Sequence, residues 1–264
     1  MKKVYDIYTE VIRDHFKVFY ANWPIGEPVK LGDYGIMSGR IFICEGNIED
    51  DYNIKFKHRT DTTKDRYYFK SNHSAKVEFF PKGSFYIQPN MPNIKASMKI
   101  EFGRGVSVFF NASGIKNHSI ADFAKVEENI FSKFKQDKWS EKKVVVNRLV
   151  QADSTTIIIS GKSGASICLD AESKAITNIN LADASIRLSV RVENGVAFEI
   201  ISEDGLFPMI GIAGIKPKHI WPRGKDDFEF LPLEKRVYSD IYNAKIAINK
   251  GLTTYDKEFY VGDI

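Results

Sequence analysis

The sequence contains little cysteine and no long apolar run, and each of these absences excludes a class of protein. Two cysteines, Cys44 and Cys168, among 264 residues cannot form a disulfide framework or a four-ligand zinc site. Each follows an isoleucine in a strand-like run, which predicts two buried free thiols. No apolar stretch approaches the roughly 20 residues of a membrane-spanning helix, and residues 1–6 carry charges where a secretory signal would be apolar. We therefore expect a cytoplasmic protein.

Sequence motifs for catalysis and metal binding are also missing. The five histidines are scattered, and none belongs to a zinc-binding pattern such as HExxH. Gly161-Lys162-Ser163 resembles the end of a phosphate-binding loop, but Thr156 stands where that motif requires glycine. The clusters Glu49–Asp51 and Asp226–Asp227 could serve as metal-binding carboxylates, but short acidic runs beside loops are usually solvated. These absences predict a non-enzymatic protein without catalytic residues, metal or cofactor, and leave an enzyme of an unrecognised family as an alternative.

The composition is that of a folded domain with nearly balanced charge. Hydrophobic residues make up 43% of the chain and charged residues 27%, which argues against extensive disorder. Lysine and arginine total 38 against 34 acidic residues, so the formal net charge is +4. Such a surface tolerates anionic partners but lacks the large basic excess of a dedicated nucleic-acid-binding protein.

Apolar and polar residues alternate along several segments, which predicts strands with one apolar face. The first pair of strands lies near 74–112 and the second near 184–201, where Asn194-Gly195 is a strong two-residue turn signal. In the long run from 96 to 111, only Phe109 is out of phase. The apolar faces consist of Met98, Ile100, Phe102, Val106, Val108 and Phe110 in the first pair and of Ile186, Leu188, Val190 and Val192 in the second.

Three helices are predicted, one near each end of the chain and one in the middle. Apolar residues recur at helical spacing over the first twenty residues, and Pro24 ends that pattern. Ser119 is a plausible N-cap for a second helix that runs to Lys135, with an acidic residue in its first turn. The third helix is predicted at 233–248, after prolines become frequent near residue 216.

The remaining segments predict shorter strands and turns. Residues 144–152 and 155–160 predict a hairpin that turns at Asp153-Ser154. Other strands are predicted at 39–45, 52–57 and 165–169, with a polar loop at 58–66 and a short strand at the C-terminus. The fold class is therefore predicted to be α+β, a twisted and mostly antiparallel sheet with helices packed on it. Residues 1–215 are predicted as a β-rich core domain and residues 216–264 as a C-terminal segment.

Strands with one apolar and one polar face fit two kinds of protein. In a soluble sheet, helices cover the apolar side. In a membrane-inserted β-hairpin, about 9–11 tilted residues per strand cross the bilayer, with lipid on the apolar side and water on the other. A protein that hides such strands under helices could release them later. The alternation alone is compatible with both structures.

The order of the predicted elements resembles the pore-forming domain of gasdermins, including their bacterial and fungal relatives. An amphipathic basic helix comes first, and two alternating strand pairs follow with a helix between them. The most similar segments are Val144–Ala152, which matches a valine-rich strand, and Gly195–Phe198, which matches a glycine followed by an apolar return strand. The resemblance covers roughly residues 1–215 and is one of layout, without a diagnostic motif.

The resemblance implies a latent pore-forming protein that permeabilises membranes, with roles in cell death and antiviral defence. Residues 216–264 would be a restraint that keeps the core inactive. After release, the core would bind acidic membrane lipids and oligomerise with itself, and the two alternating strand pairs would enter the membrane. The candidate lipid-binding residues are Lys2, Lys3, Arg13 and Lys17.

A non-enzymatic binding module is the alternative function. Residues 55–59 and 64–70 interleave basic and aromatic side chains, which suits contact with phosphates and stacked bases. Such a module would bind a protein partner or a nucleic acid through these residues. An ordinary strand and loop with solvated charges has the same composition, so this pattern leaves the function open.

Overall fold

The computed structural model confirms the predicted α+β class, with mostly antiparallel sheet and a few helices. It describes residues 3–62, 65–70, 75–80, 97–103, 107–171, 188–217, 224–225 and 228–232. Its helices are α1 (Val4–Phe16), α2 (Ile48–Tyr52) and α3 (Phe123–Lys135). Its strands are β1 (Tyr20–Ala21), β2 (Asp33–Ser38), β3 (Ile41–Asn47), β4 (His58–Thr60), β5 (Asp65–Lys70), β6 (Ala75–Phe80), β7 (Ser97–Phe102), β8 (Val108–Ile120), β9 (Lys143–Gln151), β10 (Ser154–Ser160), β11 (Ser166–Ala171), β12 (Leu188–Asn194), β13 (Val196–Glu203), β14 (Met209–Pro217) and β15 (Phe228–Pro232).

Four long segments of the chain form the centre of the larger sheet. β4 and β5 lie end to end along one edge of β8, while β9 and β10 lie end to end along the other edge. β14 and β13 continue in the same way along β9 and β10. The order across the sheet is therefore β4/β5, β8, β9/β10 and β14/β13, with antiparallel neighbours throughout. In each of the three segments other than β8, the break between the two strands falls at the same level, opposite the middle of β8.

Gly114 in β8 and Asp153 opposite it form the centre of this level. Gly114 has a φ of +62°, and a Cβ at residue 114 would lie 2.5 Å from a carboxylate oxygen of Asp153. The Asp153 N–H donates to the Ser113 carbonyl at 3.0 Å. The predicted hairpin at Asp153-Ser154 is wrong, because β9 and β10 both bond to β8 and do not fold back on each other. β9 and β10 therefore continue one another along the same edge of β8, with a kink at residues 152 and 153.

The smaller sheet has four strands in the order β12-β11-β7-β6 and packs on one end of the larger sheet. Buried apolar residues of both sheets fill the space between them, among them Phe109, Ile158 and Ile100. α1 packs on the opposite face of the larger sheet, where Ile12 joins a cluster that contains Phe110. This end of the larger sheet is therefore covered on both faces, by α1 on one side and by the smaller sheet on the other.

The other end of the larger sheet is covered by α3, α2 and the ribbon of β2 and β3. Ile130 and Phe134 of α3 and Ile48 of α2 pack in one cluster with Val145 and Ile212 of the sheet. α1 is the predicted N-terminal helix, and its buried side chains confirm an amphipathic helix that packs against the core. All three helices therefore serve as covers for the long strands.

β15 ties part of the predicted C-terminal segment to the core. It pairs with the last residues of β14, and the boundary predicted between residues 215 and 216 falls inside β14. The Phe228 ring lies 5.3 Å from the Phe134 ring, and the Phe230 ring lies 5.8 Å from the Phe123 ring of α3. The predicted helix at 233–248 and the strand after it lie outside the described residues.

The helix predicted from Ser119 begins later than expected. Ser119 lies in β8, where the neighbouring strands β4 and β9 pair with it on both sides, and α3 begins at Phe123. Asp122 stands at the N-cap position, but its carboxylate accepts a hydrogen bond from the Lys57 N–H at 2.7 Å and does not cap the helix. Strand pairing across the sheet therefore outweighs the local capping signal.

Two further predictions for residues 45–66 are wrong. A strand was expected at 52–57, but α2 occupies residues 48–52, and Asn53 ends it in the left-handed region. The Asn47 side chain caps α2 by accepting a hydrogen bond from the Glu49 N–H at 3.0 Å. The acidic cluster Glu49–Asp51 thus lies in the first helical turn, where the helix dipole favours negative charge. The loop expected at 58–66 contains β4, which pairs with the end of β8.

Both cysteines are free, but the prediction that both are buried is wrong. Cys44 is exposed in β3, and Cys168 is half-buried in β11. β3 pairs only with β2 among the described strands, so its side chains are less covered than those of a central strand. Cys168 pairs with Lys99 and lies on the outer, polar face of the smaller sheet. The apolar residue before each cysteine therefore did not indicate which face the thiol occupies.

Candidate functional site

The smaller sheet consists of two β-hairpins with one apolar and one charged face. β6 and β7 form the first hairpin, and β11 and β12 form the second. The apolar face lies against the larger sheet, and Met98, Ile100 and Phe102 of β7 are completely buried there. β11 contributes Ile167 and Leu169, which are also completely buried. We take these two hairpins as the candidate functional site.

The outer face of the hairpins carries paired charges. Lys76 and Glu78 form an ion pair at 2.6 Å, and Lys99 and Glu101 form another at 2.9 Å. The hydrogen bond from Lys99 and its positive charge lower the pKa of the Glu101 carboxyl. Lys76 pairs across the strands with Glu101, and Glu78 pairs with Lys99, so opposite charges alternate over the surface. This face suits contact with water and not with lipid.

The predicted membrane-inserting residues fall on two different sheets. Met98, Ile100 and Phe102 lie in the first hairpin, whereas Val108 and Phe110 lie beyond it, in the larger sheet, and face α1. The continuous apolar face expected from 96 to 111 is therefore wrong. The chain passes from one sheet to the other between Phe102 and Val108, so the even-numbered side chains face the larger sheet in β7 but face α1 in β8. Phe109, which looked out of phase, packs in the same cluster as Met98 and Ile100.

The predicted residues of the second strand pair lie in β12 where the structure describes them. Leu188 is buried in the cluster between the sheets, and Val190 is 40% exposed at the edge of the smaller sheet. The backbone of Val192 is part of β12, while Val106 and Ile186 lie outside the described residues. The turn at Asn194-Gly195 joins β12 to β13, but the two strands belong to different sheets. The second hairpin is therefore β11–β12. The sequence pattern predicted a pairing of the strands on either side of Asn194-Gly195 and did not indicate that β11 is the partner of β12.

The strand order of the two sheets is the same. In the larger sheet the order is β5-β8-β10-β13, and in the smaller sheet it is β6-β7-β11-β12. Each strand of the smaller sheet is also the chain neighbour of its counterpart: β5 leads to β6, β7 to β8, β10 to β11 and β12 to β13. The four strands of the larger sheet reach these connections at the same end of the sheet, because Lys70 pairs with Phe109 and Ser160 bonds to Ser107 and pairs with Val196 at that level.

The described residues of these connections, 103, 161–165 and 195, are rich in glycine and held by backbone hydrogen bonds, and we call this region the hinge. Gly161 donates to the Gly195 carbonyl at 2.9 Å, and Gly164 donates to the Phe102 carbonyl at 2.8 Å. Gly195 has a φ of +69°, and a Cβ there would lie 2.3 Å from the Lys162 side chain. Glycine at 195 thus allows the close turn from one sheet to the other. The phosphate-loop-like Gly161-Lys162-Ser163 is part of this hinge.

Two carboxyl groups face each other across the hinge. Glu193 of β12 and Glu199 of β13 lie close enough to share a hydrogen bond when one of them is protonated, although they belong to different sheets. Partial desolvation raises the pKa of Glu199, and the negative charge and hydrogen bond of Glu193 raise it further. When both groups are ionised they repel each other, so this pair opposes the packing of the second hairpin on the larger sheet.

We expect Glu199→Gln to stabilise the protein at neutral pH. The raised pKa means that the folded state binds the proton more tightly than the unfolded state, so stability falls as the pH rises above the ordinary glutamate value of 4.5. The variant lacks this pH-dependent loss of stability. Its melting temperature should therefore exceed that of the wild type at pH 7 but not below pH 4.5. Glu128→Gln, on the exposed side of α3, is the control. An unchanged pH dependence in Glu199→Gln would contradict this role.

The candidate lipid-binding residues that the structure describes lie near the ends of α1, and they differ in exposure and in their contacts within the chain. Lys3 and Lys17 are exposed at the two ends of the helix. Arg13 is engaged within the chain, because its guanidinium donates to the Lys17 carbonyl and lies 4.2 Å from the centre of the Tyr20 ring. Lys2 lies outside the described residues. Two of the four predicted side chains are thus exposed to solvent.

Residues 55–59 lie at the end of the larger sheet that is remote from the hinge, whereas residues 65–70 form β5. Lys55, Lys57 and Arg59 are exposed there, whereas Phe56 is partly buried and packs on the core. Tyr67 is likewise partly buried against the cluster under α1. Phe56 and Tyr67 therefore serve the core, whereas Tyr68 is 39% exposed and its ring centre lies 5.2 Å from the Arg66 guanidinium.

Comparison with known proteins gives no relative from which a function could be taken. No protein-family model matches the chain, and no curated protein matches it. Within the described ranges, no helix is long and apolar enough to cross a membrane. Nor does any group of three or more histidine, cysteine or acidic side chains converge as metal ligands in the part of the chain that the structure describes. The site is therefore defined by its geometry: two amphipathic hairpins folded back on an open antiparallel sheet.

Proposed function

We propose that the protein is a latent pore-forming protein whose two hairpins, β6–β7 and β11–β12, swing away from the larger sheet and enter a membrane. The observation that carries the proposal is the identical strand order of the two sheets. If the hinge opens, the strands of the smaller sheet become straight extensions of β5, β8, β10 and β13. No strand has to change its neighbours, and the hydrogen bonds within each sheet are kept.

The two faces of the hairpins would then meet the two environments of a membrane pore. The apolar face, which now lies on the larger sheet, would face lipid, and the face with the Lys76, Glu78, Lys99 and Glu101 charges would face water. When the hairpins leave the larger sheet, the apolar side chains of that sheet that they now cover become exposed, and this exposure opposes opening. The described apolar partners on the larger sheet include Phe109 and Ile158 next to the hinge, with Ile201 of β13 partly buried at the next level. Further from the hinge, the same face of the larger sheet carries Asn111 and Thr156.

The open edges of both sheets support self-assembly. Among the described strands, β5 and β6 lie at one edge, and β13 and β12 lie at the other. Because each copy would contribute four antiparallel strands, the β12–β13 edge of one copy and the β5–β6 edge of the next run antiparallel. Such a head-to-tail contact repeats the same interface and leads to a ring when the rotation closes. A closed ring removes the unpaired edges that a membrane does not tolerate.

Acidic membrane lipids are the partner that this proposal requires. Lys3 and Lys17 at the ends of α1 are exposed, and a basic side chain near an anionic surface contributes about 1 kcal/mol to binding. The residues beyond β15 are the part of the C-terminal segment that could act as a removable restraint. Cleavage should be designed after Pro232 and not after residue 215, because β15 is a strand of the larger sheet and covers α3.

Dye release from lipid vesicles tests the proposal. We expect the chain that ends at Pro232 to release dye from vesicles that contain phosphatidylserine, because the restraint is gone and the hairpins remain. The full chain should release much less dye from the same vesicles, and vesicles of phosphatidylcholine alone are the control for the acidic headgroup. Absence of leakage from both proteins, with both folded by circular dichroism, would overturn the proposal.

A further inference from the structure

β3 is an edge strand that lacks most of the usual protection against pairing with another strand. It pairs with β2 on one side, and no other described strand pairs with its second side. Edge strands are commonly protected by lysine, proline or a bulge. β3 contains neither lysine nor proline, and its bulge at Glu45 leaves residues 41–44 as a regular stretch.

The exposed face of this ribbon carries an apolar pair at its centre. Ile43 of β3 is 47% exposed and pairs directly with Ile36 of β2, which is 36% exposed. These are two of the five large apolar side chains that are exposed in the described structure, and they are adjacent. An apolar pair beside an unpaired strand edge favours a partner that brings both backbone hydrogen bonds and apolar side chains.

We propose that two copies of the full chain form a two-fold symmetric dimer in which the β3 strands pair antiparallel about Ile43. In this register Ile43 lies opposite the partner's Ile43, and Phe42 lies opposite the partner's Cys44. A continuous row of four isoleucines, Ile36 and Ile43 from each copy, then crosses four strands on one face. The proposal does not rest on pore formation, because neither hairpin takes part in the interface.

A second copy fits this edge better than a lipid or a charged partner. Lipid cannot satisfy the free N–H and C=O groups of a strand edge. The only charged residue of β3 is Glu45, and its carboxylate lies 3.3 Å from the Lys143 ammonium, so the strand presents little net charge to a copy of itself. In the proposed register Glu45 lies opposite the partner's Ile41, so no like charges face each other. One short strand pair buries a small interface, so the dimer should dissociate on dilution.

Sedimentation of the full chain without lipid, over a wide range of protein concentration, tests the dimer. The wild type should change from monomer to dimer as the concentration rises. Ile43→Lys should remain monomeric, because it places two lysines opposite each other at the centre of the interface. Phe79→Lys is the matched control, since Phe79 is exposed to a similar extent, 44%, but lies in β6. It should dimerise like the wild type.

Cross-linking by a short bis-maleimide gives a second measurement on the native cysteines. The dimer should be captured through Cys44, which is exposed and lies next to the two-fold axis. Cys44→Ser should lose the product, and Cys168→Ser should keep it. A wild type that stays monomeric at all concentrations, or a dimer that persists in Ile43→Lys, would overturn the proposal. A dimer that forms only in the chain ending at Pro232 would also overturn it, because the C-terminal segment would then cover β3 in the full chain.

Discussion

Locking the hinge between Glu193 and Glu199 should abolish membrane permeabilisation. Cysteines at both positions, in a chain that ends at Pro232 and carries Cys44→Ser and Cys168→Ser, can be bridged by a short bis-methanethiosulfonate linker. The two native side chains lie within hydrogen-bonding reach of each other and belong to different sheets, so the bridge holds the second hairpin on the larger sheet. Dye release should fall to the background level, because the strands cannot extend.

The same protein provides its own control. Reductant removes the linker and should restore dye release to that of the unlinked double-cysteine variant. Each single-cysteine variant, treated with the linker, should release dye normally, since it can be modified but not bridged. Full leakage from the bridged protein would show that permeabilisation does not require the second hairpin to leave the larger sheet.

Lysine at Phe79 or Val190 should block permeabilisation without unfolding the protein. Both residues pair with buried members of the apolar face, Met98 and Leu169, yet they are 44% and 40% exposed at the two edges of the smaller sheet. Exposed substitutions change stability by only about 0.5 kcal/mol. In the inserted state each lysine would face hydrocarbon, which destabilises that state by about 2–4 kcal/mol near the middle of the bilayer. Dye release should therefore fall by more than roughly tenfold, since about 1.4 kcal/mol corresponds to a factor of ten.

The charged face of the same hairpins supplies the matched control. Lys76→Gln and Glu78→Gln change residues that would line the water-filled side, so dye release should continue. Their effect should appear in the ion selectivity of single channels in planar bilayers, and the two variants should shift it in opposite directions. Equal dye release from the Phe79→Lys variant and the wild type would argue against contact of this face with lipid.

Alternation of apolar and polar residues predicted the strands but not their sheets. Ala75 to Phe80 and Ser97 to Phe102 are strands, as the pattern predicts, because burial of one face dominates each of them. The step from Phe102 to Val108 was missed, because the apolar residues keep the same phase while their face turns from the space between the sheets to α1. Phe109 was the visible sign of that step, because β8 is buried on both faces and its Phe109 side packs against the smaller sheet.

Local turn and cap signals were misleading where long-range pairing was stronger. Asp153-Ser154 has turn composition, but the Asp153 N–H bonds to Ser113 and the strand continues. Ser119 has a capping pattern, but it is paired on both sides within β8. Sequence alone could not show these partners, because they come from segments tens of residues away. The hinge was missed for the same reason: Gly161, Gly164 and Gly195 are brought together only by the fold.

The distance between residues 65 and 78 is the most direct measure of whether the hairpins extend the larger sheet. Spin labels on cysteines at Asp65 of β5 and Glu78 of β6 would report it, in a chain without the native cysteines. Face-to-face sheets lie about 10 Å apart, so the latent form should give a distance below about 20 Å. Thirteen residues of extended strand span about 43 Å at roughly 3.3 Å per residue. The account predicts the long distance when the chain ending at Pro232 binds acidic vesicles, and an unchanged short distance on vesicles that leak would contradict it.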